Sequence, residues 1–150
     1  MCIRDRDQFA WVAGVAGNHD TFGDRKTSRP NFSGRLIYLD GARKEVAGLK
    51  IAGIGGIVGN PKRLQRRWQD EYLAELDLIL HEETDVVLMH DGPNAPAQRY
   101  KGCDFIREVI EKRKPNLVVR GHCHWPEPMV ELESGVQVLN VDARVVILKT

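Results

Sequence analysis

No apolar run in this 150-residue chain approaches the roughly 20 residues of a membrane-spanning helix. The N-terminus has no apolar core of the kind a secretory signal carries. Cysteine is scarce: three residues, odd in number and unrelated in spacing, write no disulfide framework. Net charge is nearly absent at +1, and no basic stripe interleaved with aromatics runs along the chain. That balance disfavours a nucleic-acid partner, and with it a nuclease. Internal repeats, low-complexity stretches and a nucleophile-base signature are missing as well. What these absences leave is a soluble cytoplasmic protein, large enough for one domain with a real core.

The pattern of what is present alternates strands and helices. Short apolar runs at Gln8–Ala16, Leu36–Leu39, Lys44–Val46 and Leu49–Ile54 predict strands, the later ones forming a meander through Asp40-Gly41 and Gly48. Spacings of three and four among Leu64, Trp68, Tyr72, Leu76, Ile79 and Leu80 predict a helix over Leu64–Glu83. The basic residues Lys62, Arg63, Arg66 and Arg67 read as its wet face. A strand at Val86–Met89, a helix at Asp104–Arg113 ended by Pro115, and a strand at Leu117–Val119 follow. The tail predicts strands near Met129–Leu132, Val136–Val141 and Val145–Leu148. Gly53, Gly55, Gly56 and Gly59 lack the Lys-Ser/Thr of a phosphate cradle, so they read as sites of turning or close backbone approach.

Metal-ligand side chains cluster at the ends of the predicted buried strands. Four of the five histidines fall there: His19 in Gly17-Asn18-His19-Asp20, His90 after Val86–Met89, and His122 and His124 in Gly121-His122-Cys123-His124. Ligands of open α/β sheets bind outside the carboxyl ends of strands. Strand–helix–strand order puts His90 and His122 on neighbouring strand ends. Strand alternation would point His122 and His124 the same way and Cys123 away, which makes Cys123 a packing residue. Imidazoles joined by the amide oxygen of Asn18 suit zinc, manganese or iron. His81, on the first helix, joins no such group, and Cys2 and Cys103 receive no role.

Taken as a set, these motifs resemble those of the calcineurin-like metallophosphoesterase superfamily, over roughly Gln8 to Thr150. The resemblance implies an α/β sandwich of mixed sheets flanked by helices. It implies two divalent cations (Mn, Fe or Zn) at the strand ends and hydrolysis of a phosphate-ester substrate, mono- or diester. Carried over residue by residue, Asn18, His90 and His122 match ligands of one cation and His124 a ligand of the other. His19 matches the histidine that contacts phosphate and protonates the leaving oxygen; Asp20 takes no direct part.

The sequence departs from the family pattern at its start. The Asp-x-His and Gly-Asp-x-x-Asp motifs, the second of which supplies the bridging carboxylate, are not written: Asp5, Asp7, Asp24 and Asp40 stand in other contexts. Residues 1–7 read as a non-native leader and 8–150 as the C-terminal portion of a single domain lacking its first strands. On that reading the chain holds at most one cation, weakly, and hydrolyses poorly. A catalytically inactive metal-binding or interaction module of the same fold is the alternative. The loops Phe22–Gly34, Gly55–Arg67 and Asp91–Gly102 are expected to flank the site, with Arg99 and Lys101 available to a second phosphate or acidic group.

Overall fold

The computed structural model describes residues 9–22 and 34–148. The expected leader, Cys2, Asp5, Asp7, Asp24 and most of the loop after Phe22 lie outside the described residues. In chain order the elements are β1 (Val12–Gly14), β2 (Leu36–Tyr38), β3 (Ala42–Val46), β4 (Leu49–Ile54), β5 (Ile57–Val58), β6 (Arg66–Arg67), α1 (Gln69–Ile79), β7 (Val86–Met89), α2 (Asp104–Arg113), β8 (Leu117–Arg120), β9 (Met129–Glu131) and β10 (Gln137–Asn140).

A six-stranded mixed sheet in the order β3-β4-β7-β8-β10-β9 forms the centre. Its four inner strands are parallel, and β3 and β9 run antiparallel at the two edges. The inner strands are β-branched and apolar because helices cover them. Val87 and Val118 are fully buried, as are Tyr72 and Leu76 of α1 and Ile106 and Ile110 of α2. Burying each such aliphatic side chain contributes about 1.5–3 kcal/mol. The helices are tied to each other where Asp77 of α1 meets Lys112 and Arg113 of α2.

A second, two-stranded layer of parallel β1 and β2 packs on this sheet. Gly53 of β4 admits it: a Cβ there would lie 2.4 Å from Leu39 Cβ and 3.1 Å from a methyl of Val15. The Gly56 N–H donates to the Ala16 carbonyl at 2.8 Å, fixing the end of β1 against the end of β4. The fold is therefore the mixed α/β arrangement that the motifs imply. No helix among the described residues is long and apolar enough to cross a membrane.

Two elements differ from expectation. The first helix begins at Gln69 rather than Leu64, because the chain just before it is extended and β6 pairs with β5. Gly56, at φ +70, lets its backbone lie against Gln65, where a Cβ would stand 2.3 Å from the Gln65 carbonyl oxygen. Arg67 then turns inward to Asp40 and Glu75 instead of facing solvent, so the basic patch is not one helix face. The apolar tail at 145–148 forms no strand, and Val145 is 91% exposed. A turn with Ala143 at φ +54 carries the chain off the sheet before it can pair.

Candidate metal centre

Strand register assembles the site. Ile54, Met89, Arg120 and Asn140 form one row across the four parallel strands. Gly55, His90, Gly121 and Val141 therefore leave the sheet along the same edge. The docked end of β1 delivers Gly17 and Asn18 to that edge too.

The Gly17–Asp20 turn is closed twice: the Gly17 N–H donates to Asp20 Oδ2 at 2.7 Å, and the Asp20 N–H donates to the Gly17 carbonyl at 3.1 Å. Asp20 thus shapes the turn. Gly17 is required by contact, because a Cβ there would lie 2.9 Å from Cε1 of the His90 ring. The turn leaves Asn18 buried, with Oδ1 at 2.9 Å from His90 Nε2. The rings of His90 and His122 stand 5.0 Å apart between centroids, tilted by 56°.

The local backbone explains how His122 reaches His90. The chain leaves β8 and turns immediately: the Cys123 N–H donates to the Gly121 carbonyl at 2.8 Å, with His122 between them at φ +68. This three-residue turn is a strained form, uncommon outside sites that need it. It ends the strand at Arg120, so the spacing of His122 and His124 is set by a turn rather than by strand alternation. His124 is 58% exposed, with Nδ1 at 3.6 Å from Asp142 Oδ2 and Nε2 accepting from Arg144 Nη2 at 3.1 Å. His19 is exposed on the turn and has no hydrogen-bond partner among the described residues.

Asn18 Oδ1 and His90 Nε2 have the spacing of two ligands of one divalent cation, and the His122 ring stands beside them. Two ligands at right angles about a cation, each about 2.1 Å from it, stand about 3.0 Å apart. The Asn18 oxygen and His90 nitrogen are 2.9 Å apart. Burial, and then the neighbouring His122, push the His90 imidazole below its usual range, which keeps it in the neutral form that a ligand must have. Among the described residues no three His, Cys, Asp or Glu side chains gather into a metal-binding group.

Several contributors had no mark in the sequence. Asp142 and Arg144 reach His124 only because β10 lies beside β8. Asn140 Nδ2 donates to the Cys123 carbonyl at 2.7 Å and supports the turn holding His122. Arg120 is fully buried and donates through Nη1 to the carbonyls of Pro93, at 3.3 Å, and Lys101, at 2.9 Å. An arginine closing the apolar run Leu117-Val118-Val119 directly before Gly121-His122 is the one available signal for its role.

Comparison with known families supports this architecture. The family model described as calcineurin-like phosphoesterase matches residues 5–126. Among solved structures, TT1561 of Thermus thermophilus is 16% identical with a TM-score of 0.55, covering 72% of this chain and 50% of that one. A second crystal structure is 12% identical with a TM-score of 0.57, covering 72% of this chain and 46% of that one. The chain thus spans about half the length of these structures, and the likeness shows the shared fold. No curated protein sequence matches the chain.

Proposed function

From a chain that belongs to the calcineurin-like phosphoesterase family, whose general chemistry is metal-dependent hydrolysis of phosphate esters, we propose a phosphoesterase site at the edge where Asn18, His90 and His122 meet. The observation that carries it is the 2.9 Å spacing of Asn18 Oδ1 and His90 Nε2 beside the His122 ring. These residues would hold one divalent cation, and His124, whose Nδ1 lies 3.6 Å from Asp142 Oδ2 and whose Nε2 accepts from Arg144, would reach the second only on leaving Arg144. When bound, such cations polarise the phosphoryl oxygens and acidify the attacking water.

The chain's own residues supply the rest. The Gly17–Asp20 turn holds Asn18 inward and leaves the next side chain, His19, outside and unpartnered among the described residues. His19 is thereby free to meet the phosphate and pass a proton to the departing oxygen as general acid. His90 stays neutral because it is half-buried, so it presents a lone pair rather than a charge.

The test is calorimetric titration with manganese, followed by a chromogenic assay on phosphate mono- and diesters. His90→Ala and His122→Ala should each weaken metal binding at least about tenfold, while His19→Ala should lower turnover with metal binding intact. Unchanged binding in both ligand variants sinks the assignment. Tight binding with no turnover of either ester class would instead favour an interaction module of the same fold.

A further inference from the structure

A cavity of about 740 Å³ opens beside the metal centre, bordered by His122 on one side and by the loop between β7 and α2 on the other. Four charged side chains line it: Asp91, Asp104, Arg99 and Lys101. The two carboxylates are already engaged. Asp91 accepts from the backbone N–H groups of Gly92, at 2.9 Å, and Val58, at 3.4 Å. Asp104 accepts from Asn94 Nδ2 at 2.7 Å and lies 3.8 Å from Arg107. Arg99 and Lys101 are exposed and have no ion-pair partner among the described residues. The charged groups on this wall left without a hydrogen-bond or ion-pair partner among the described residues are therefore the two cations.

The backbone that displays these cations is pinned from beneath. Ala95 and Tyr100 exchange two backbone hydrogen bonds, at 3.0 and 3.1 Å. Arg99 sits between them at φ +59, its N–H donating to the Pro96 carbonyl at 2.9 Å. The Lys101 carbonyl accepts from Arg120 Nη1 at 2.9 Å and Trp125 Nε1 at 2.8 Å, both from fully buried side chains. The Arg120 guanidinium also lies 5.0 Å from the centroid of the Trp125 ring. Arg120 directly precedes Gly121, so one residue ties the loop after His90 to the turn that holds His122. A flexible surface loop carrying two lysine-like charges would need none of this support.

We infer that this cavity is the subsite for the leaving group and takes a phosphate ester whose leaving group carries a second anionic group, held by Arg99 and Lys101. Arg120 is the positioning residue that fixes their backbone. This inference rests on the phosphoesterase reading, since the first phosphoryl group must lie at His122 for the second anion to reach the loop.

The probes are phenyl phosphate and 4-carboxyphenyl phosphate, titrated by calorimetry into the manganese-loaded chain at low ionic strength. The carboxylated ester should bind about fivefold more tightly, as two partly solvated charge contacts allow. That preference should shrink with added salt. In an Arg99→Glu, Lys101→Glu double variant the affinity ratio should invert. Equal affinity in the parent chain, or a ratio unmoved by the double substitution, overturns the subsite alone. Failure of either ester to bind overturns the phosphoesterase reading and the subsite with it.

Discussion

Replacing Gly17 by alanine separates the fold from the metal centre. The added methyl would stand 2.9 Å from His90 Cε1 and 3.1 Å from Nδ1. Ordinary carbon contacts lie at about 3.5–4.0 Å, so the imidazole must retreat by roughly 0.6 Å or more. A side chain swings that far at modest cost, about 1–3 kcal/mol, and alanine returns about 0.4–1 kcal/mol by stiffening the unfolded chain. The net change in folding stability is therefore about 0–2.6 kcal/mol. A coordination sphere has no such slack, because ligand distances tolerate about 0.2 Å. Metal affinity should fall at least about tenfold, near 1.4 kcal/mol. Gly14→Ala is the control: a Cβ there meets nothing within 4 Å and the backbone is not left-handed. Thermal melts paired with manganese titration read both quantities. Gly17→Ala binding manganese as tightly as the parent would refute the placement of His90 in the metal centre.

Three further outcomes follow from the packing. Leu76→Ala, at a fully buried position on α1, should cost about 2–5 kcal/mol in denaturant unfolding. Arg120→Met removes both bonds to the Pro93 and Lys101 carbonyls and should speed hydrogen exchange at the Tyr100 and Cys103 amides, with the amides of β8 still protected. Asp77 is held at about 2 chiefly by its hydrogen bond with Arg113. A carboxylate lowered in the folded state stabilises it above the unfolded value of about 3.9, and that contribution fades as pH falls through about 2. Asp77→Asn should thus lower the melting temperature by about 2 °C at pH 7, a small effect because the pair is partly solvated, and the gap from the parent should close near pH 2.

What could be read along the chain depended on the distance over which each signal acts. Val86–Met89 and Asp104–Arg113 match their elements residue for residue, because apolar period and a nearby proline act within a few positions. The helix start at Leu64 misled for the same reason. Its apolar spacing continues through Gln65 and Arg66, but the close contact of Gly56 with Gln65 and the pull of Asp40 on Arg67 come from residues distant in sequence. The tail at 145–148 has strand composition, yet a turn one residue earlier decides its path.

By itself the sequence marked the candidate donors: an amide and imidazoles placed after apolar runs, of a chemistry suited to a borderline cation. It also determined the parallel strands that send His90 and His122 to one edge, since strand–helix–strand order leaves little choice. Tertiary structure alone decided which donors meet. The docking of Ala16 on Gly56 brings Asn18 to His90, and the tight turn at Gly121 sets the exposed His122 ring beside His90 while His124 faces Asp142 and Arg144. Those outcomes depend on contacts between segments tens of residues apart, whose geometry is set by packing and backbone strain rather than by any local preference of the residues involved.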